Sequence, residues 1–316
     1  MNRYYLHICI MLALFAACHQ EAPIAMGCVE VLGADTCDAG SVLQMRVRSS
    51  EGSRGAAFIL IDNGHGIEVI KVKMSIDTLI KRKFIVSGIV KIGSFVNRNL
   101  CNSKQVYIKP LSPVHLPGVY LGPKAVNTGG QDSTMITVIP GDVFGNLLQD
   151  TTMVHFSVIH PDGSILTGKD SLHGGIASLY IGSRQVSGKG FASATIGAIS
   201  TKQMDFLEVS TNAVDFKIYA AVHSSSADGR QTFKIITEKL LDRYGNMLPE
   251  GTIVNFTCLE ASGTLRTITG YTIGGVATVY LQNPACPGIL KVNASTTTGA
   301  GSNTLELIFS TPKFEN

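Results

Sequence analysis

Asp142-Val-Phe-Gly-Asn146-Leu-Leu-Gln-Asp-Thr-Thr-Met-Val-His-Phe156 is answered one hundred residues later by Asp242-Arg-Tyr-Gly-Asn246-Met-Leu-Pro-Glu-Gly-Thr-Ile-Val-Asn-Phe256. Asp, Gly, Asn, Leu, Thr, Val and Phe recur in place, and Phe144 is matched by Tyr244. The offset holds at Gly163/Gly263 and Thr167/Thr267, and between Gly174-Gly175-Ile-Ala177-Ser-Leu-Tyr180 and Gly274-Gly275-Val-Ala277-Thr-Val-Tyr280. It drifts to 98 where Phe206-Leu207-Glu208-Val209 meets Thr304-Leu305-Glu306-Leu307. One register kept over so many positions marks an internal repeat.

The residues between these landmarks predict β-structure. Met153-Val154-His155-Phe156-Ser157-Val158 alternates apolar and polar, the pattern of a strand with one buried face. Gly145-Asn146 and Gly245-Asn246 suit turns that need positive φ, and Asp142 and Asp242 can accept the backbone hydrogen bonds that close them. About seven short strands per hundred residues, with turn signals every 8–12, predict an immunoglobulin-like β-sandwich. The composition agrees: 45% apolar, 16% charged and 33 glycines in 316 residues. There is no Trp, so the Trp packed on a disulfide in antibody domains is absent.

The order D-x-x-G-N-x-x-x-x-x-T-x-V-x-F, then G-x-A-x-x-Y, resembles the bacterial Ig-like domain family of invasin and intimin. Asp142, Gly145, Asn146, Thr152, Val154, Phe156, Gly175 and Ala177 carry the pattern in one copy; Asp242, Gly245, Asn246, Thr252, Val254, Phe256, Gly275 and Ala277 carry it in the other. All are read as folding residues. The resemblance covers roughly residues 118 to 310 and implies an extracytoplasmic stalk or interaction module. No lectin-like or barrel segment is read here, and invasin-type adhesion to host cells is not carried over.

Residues 28–110 lack the motif but alternate like strands, at Val42–Val47, Ala56–Ile61 and Phe84–Val90. The expected architecture is therefore all-β, three tandem sandwiches with a diverged first one. The boundaries read as a signal peptide at 1–17, a tether at 18–27, the diverged domain at 28–110, a proline-stiffened linker at 111–117, and Ig-like domains at 118–210 and 211–312.

Residues 8–17 form an apolar run too short to span a bilayer and suited to a signal-peptide core. It ends in Phe15-Ala16-Ala17-Cys18, which looks like a bacterial lipobox. That resemblance implies acylation of Cys18 and a lipid bilayer as partner through the acyl anchor. His19 stands where an inner-membrane retention signal would have Asp, which favours the outer membrane, on its periplasmic or surface face. Export makes disulfides permissible for Cys28, Cys37, Cys101, Cys258 and Cys286. The expected bridges are Cys258–Cys286 and Cys37–Cys101, with one thiol left over.

Catalytic signatures are missing. There is no HExxH, GxSxG or paired-carboxylate motif. Gly182–Gly190 departs from a phosphate loop in spacing and lacks its Ser/Thr, so it reads as a β-turn. Asp62–Gly66 reads as a hairpin turn, since no late Glu supports calcium. His155, His160 and His173 read as ordinary strand histidines. No metal or cofactor is expected. The net charge of +3 gives no reason to expect a nucleic-acid partner. The function expected is a non-catalytic envelope lipoprotein whose sandwiches act as spacers or dock an unknown protein. The alternatives are an accessory outer-membrane subunit of a secretion or conjugation machine, and a carbohydrate-binding or adhesin protein.

Overall fold

Period-two alternation becomes strands throughout the computed structural model, which describes residues 27–51, 53–113, 115–222 and 224–312. The signal peptide at 1–17, Cys18 and all but the last residue of the tether lie outside the described residues. The chain divides into two compact units, one holding residues up to Leu111 with Phe144–Asn146, the other Ser112–Val143 and everything from Leu147.

The first unit contains β1 (Val29–Gly33), β2 (Thr36–Asp38), β3 (Val42–Ser49), β4 (Ala56–Asp62), β5 (Ile67–Lys73), β6 (Thr78–Lys83), β7 (Gly88–Val96) and β8 (Asn99–Lys109). They form a sheet β1-β3-β6 and a sheet β2-β8-β7-β4-β5. Val29, Met45, Ile59, Ile92 and Val106 are buried between them. Every neighbour pair is antiparallel except β2 with β8. The Asp62–Gly66 segment is the expected hairpin turn: Asp62 accepts from Gly64 N at 2.9 Å, and Asn63 accepts from His65 N and Gly66 N.

The second unit holds two sandwiches. The earlier is built from β9 (His115–Gly122), β10 (Ala125–Asn127), β11 (Ser133–Gly141), β12 (Met153–Ile159), β13 (Ile165–Ser171), β14 (Ala177–Gly182), β15 (Gly188–Ile196), β16 (Ile199–Ser200) and β17 (Met204–Val209). Its sheets run β14-β11-β9 and β10-β17-β15-β12-β13, with β16 on β15. The later contains β18 (Ile218–Ala221), β19 (Thr232–Thr237), β20 (Ile253–Leu259), β21 (Leu265–Ile273), β22 (Val276–Gln282), β23 (Gly288–Thr296) and β24 (Leu305–Phe309). Here the two layers are joined in one hydrogen-bonded path, β18-β19-β22-β21-β20-β23-β24. The long β21 makes the join, pairing β20 along most of its length and β22 at Thr272 and Ile273.

The hundred-residue repeat reaches into the first sandwich. β7, β15 and β23 start at Gly88, Gly188 and Gly288 and are each nine residues long, with the third, fifth, seventh and ninth residues buried. In the adjoining strands, Ile59 faces Ser94, Phe156 faces Ala194 and Phe256 faces Ala294. Ile59 thus fills the place of the motif's Phe. It is an equally buried apolar residue that keeps the packing and erases the sequence signal.

Two expectations are corrected. The stretch 111–117 contains the start of β9, which pairs with β11. The ladder skips between Ile139 and Gly141, at Pro140, which has no N–H to give. The predicted disulfides are not formed: Cys28, Cys37, Cys101, Cys258 and Cys286 are all free thiols. Cys258 points into the core of the last sandwich, fully buried, whereas Cys286 is exposed between β22 and β23. Burial pushes the Cys258 thiol up, which leaves it inert. Cys37 packs on the first core opposite Ile108, seven residues along β8 from Cys101, and the thiol whose pKa Cys101 raises is Cys28.

Phe256→Ala empties a fully buried position and is expected to cost about 3–5 kcal/mol. Urea unfolding followed by tyrosine fluorescence checks this; a loss below about 1 kcal/mol contradicts the packing described.

Candidate interaction site: the Asp–aromatic–Gly–Asn loop

The repeated D-x-x-G-N segment is the loop between β19 and β20 in the last sandwich. Asp242 N donates to Asn246 O at 2.8 Å, and Gly245 N donates to Asp242 O at 3.0 Å. This tight turn places Gly245 at φ +83°, where a glycine avoids the strain of a side chain. Asp242 is 2% exposed. Its Oδ1 accepts from Tyr244 N and Asn246 N, both at 2.9 Å. Its Oδ2 accepts from Thr211 N at 3.0 Å, Thr211 Oγ1 at 3.3 Å, Asn246 Nδ2 at 3.0 Å and Thr128 Oγ1 at 3.2 Å. Burial by itself would raise the carboxyl's pKa. The bonds from Asn246, Thr211 and Tyr244 outweigh it and hold the group below the usual carboxylate range.

The loop so held does more than fold itself. Thr128 belongs to the preceding sandwich, and so do the two groups that Asn246 engages. Asn246 Oδ1 accepts from Ser187 N at 2.8 Å, and its Nδ2 donates to Gln185 O at 2.7 Å. One side-chain amide thereby satisfies a donor and an acceptor of the β14–β15 loop, as a β-ladder partner would. Tyr244 lies on Gly129: a Cβ there would sit 2.6 Å from the tyrosine oxygen. Gly129 has φ +109°, so both its backbone and its lack of a side chain are used. The Arg243 guanidinium stacks on the Tyr244 ring, 4.8 Å from its centre.

The same pattern recurs within the first unit. Asn146 Oδ1 accepts from Ser87 N and its Nδ2 donates to Ile85 O, both at 2.8 Å. Phe144 covers Gly40, where a Cβ would meet the ring at 2.6 Å. Ile85 and Ser87 stand one hundred residues before Gln185 and Ser187. In the last sandwich the corresponding residue is Pro287, which has no N–H and cannot repeat the donation.

Asp242 and Asn246, held on the Gly245 turn, therefore have a role beyond folding, which their sequence does not reveal, and Asn146 repeats the Asn246 bonds; Asp142 and Gly145 keep the turn role expected of them. The sequence marks them as folding residues only, because the clasp joins groups that are distant in the chain, 59 and 61 residues apart for Asn246. A signal was present in the 85/87 and 185/187 offsets. The Gly182–Gly190 segment, read as a turn, is the loop that Asn246 grips. The three histidines do not converge: His155 is exposed on β12, and His173 bonds Ser171 Oγ at 3.2 Å at the surface. His160 is buried, its Nδ1 2.7 Å from Glu208 Oε1, while Glu208 Oε2 accepts from Arg184 N. Among the described residues no group of three His, Cys, Asp or Glu side chains is placed to hold a metal.

No protein-family model and no curated protein matches the chain. Two solved structures resemble it along most of its length. The Escherichia coli adhesin FdeC matches at TM-score 0.58 and 14% identity, over 90% of this chain and 97% of its own. Invasin, a bacterial integrin-binding protein, matches at TM-score 0.51 and 13% identity, over 89% of this chain and 59% of its own. The fold is a tandem immunoglobulin-like array. At these identities the likeness establishes the architecture, in agreement with the invasin-type resemblance read from the motif.

Asn246→Ala leaves Ser187 N and Gln185 O without their partner, so about 1–3 kcal/mol of coupling between the two sandwiches of the second unit is expected to go. Urea transitions of the wild type and variant, read with probes on each sandwich, measure it; unchanged coupling contradicts the clasp. The Asp242 carboxyl titrates lower folded than unfolded, so its stabilisation is complete above about pH 4 and is lost as pH falls through the folded value. In Tm measured between about pH 2 and pH 5, Asp242→Asn is expected to flatten this acid limb.

Proposed function

We propose that the protein is a non-catalytic, membrane-anchored extracytoplasmic lipoprotein whose sandwiches act as spacer and protein-interaction modules at the cell envelope. The observation that carries this reading is the clasp. Asn246, Asp242 and Tyr244 spend the most elaborate polar network of the second unit on joining one sandwich to the next. A chain that devotes a motif loop to the junction between two sandwiches is organised to hold modules in series. Loops away from the junctions are left free to bind.

The anchor in this reading is the acylated Cys18 of the Phe15-Ala16-Ala17-Cys18 segment, and the outer membrane is the favoured site. Likeness to FdeC and invasin supports a second reading, that the array is itself an adhesin. It is supported by the extent of the match, about nine-tenths of this chain in both cases, and ranks above an accessory role in a secretion or conjugation machine.

Metabolic labelling with an alkyne palmitate analogue, followed by protease treatment of intact cells, tests the proposal. Label on the wild type and none on Cys18→Ala is expected. An unlabelled wild type overturns the anchor. Digestion of the sandwiches on intact cells selects the adhesin reading, and protection selects a periplasmic spacer.

A further inference from the structure

Strand β1 is the weak point of the first sandwich. It is an edge strand whose only ladder partner among the described strands is β3, through five register pairs. It is also the strand that the N-terminal tether leads into. Besides the burial of Val29 and Val31, side-chain bonds hold it against the opposite sheet. The Ser94 hydroxyl donates to Val29 O at 2.5 Å, Val31 N approaches Asn102 Oδ1 at 3.5 Å, and Lys104 Nζ donates to Gly33 O at 2.7 Å. Ser94 and Asn102 are register partners on β7 and β8, so the first two contacts converge on one spot, and Cys28 and Cys101 flank it, each one residue along the chain from Val29 and Asn102. Ser94 occupies the place of Ala194 and Ala294 in the other sandwiches, which have no hydroxyl to donate there. Cys101 is the unpaired residue of the irregularity in β8, where the ladder skips from Asn102 to Leu100. A bulge releases a side chain from the ladder and re-aims it.

We propose that Cys28 and Cys101 form a disulfide that ties β1 to β8 and takes most of the first sandwich out of the mechanical path from the N-terminus. The two thiols give up two protons and two electrons as the S–S bond forms. A disulfide-bearing oxidant accepts the electrons and is reduced to two thiols. Tension entering at Cys28 then crosses directly to Cys101 and leaves the sandwich eight residues later, at the end of β8 (109 − 101). The segment between the cysteines, 72 residues spanned by 101 − 28 = 73 residue steps, carries no load. β8 is the right strand to receive it, since it is flanked by β2 and β7. The load path rests on the N-terminal anchor proposed above, whereas the bridge itself does not. The Cys28 thiol is raised first by its hydrogen bond with Cys101, then by burial and by the nearby Cys101 charge, which agrees with their proximity.

Purified full-length chain incubated with oxidised glutathione is mapped by peptide mass under non-reducing conditions, then stretched from its two ends in optical tweezers, with and without reductant. A Cys28–Cys101 peptide is expected in the wild type and in Cys37→Ser, and is lost in Cys28→Ser and Cys101→Ser. On stretching, reductant should lengthen the extension released by the first sandwich by about 260 Å, the span of 73 residue steps at about 3.6 Å each. A bridge between any other cysteines, free Cys28 and Cys101 after oxidation, or equal extensions in both conditions would overturn the proposal. None of these outcomes bears on Cys18 labelling, so failure of the bridge and failure of the anchor are read separately.

Discussion

The second unit depends on one buried carboxylate. Asp242 is out of water and negatively charged, and such a group is tolerated only when its lone pairs are fully used. Its two oxygens collect six hydrogen bonds. Three come from the backbone N–H groups of Thr211, Tyr244 and Asn246, so the carboxylate dictates the path of the chain where it enters the last sandwich. Another comes from Thr128 of the sandwich before. Five of the six bonds come from Thr211, Tyr244 and Asn246 and the sixth from Thr128, so the carboxylate that folds the loop also takes part in seating the junction. Tyr244 and Asn246 are then presented in fixed positions to Gly129 and to the Gln185–Ser187 loop.

This explains why the repeat is kept at one hundred residues where it matters. Strand ends can drift, as the change of offset to 98 near residue 206 shows. The distance between the gripping loop and the gripped loop cannot drift without separating donor from acceptor. The Asn–Ser pairs at 146/87 and 246/187 keep a spacing of 59 residues in both. Pro287 shows the converse, since without an N–H there is nothing for a following Asn to receive.

Much of the fold was legible because strands and turns are local. Alternation in Met153–Val158 fixed which face is buried, and Gly145 and Gly245 marked turns that the structure places at φ +81° and +83°. The first sandwich was harder to recognise, since Ile59 does the work of Phe156 without resembling it. The junction was the least legible. Its residues are conspicuous, but their partners are backbone groups of Gln185 and Ser187, whose side chains leave no mark of the contact. The cysteine pairing failed for a related reason. Spacing and rim positions pointed to Cys37, while the bulge in β8 and the packing of β1 bring Cys28 to Cys101, and neither is written in local pattern.

The central claim is that a side-chain clasp fixes consecutive sandwiches in one relative orientation. Single-molecule energy transfer in the full chain measures it, with dyes carried by non-natural residues at exposed Lys169 and Thr267. The account predicts one narrow distance distribution for the wild type and a broad one for Tyr244→Ala/Asn246→Ala with both sandwiches still folded. A wild type already broad, or a variant as narrow as the wild type, would contradict it.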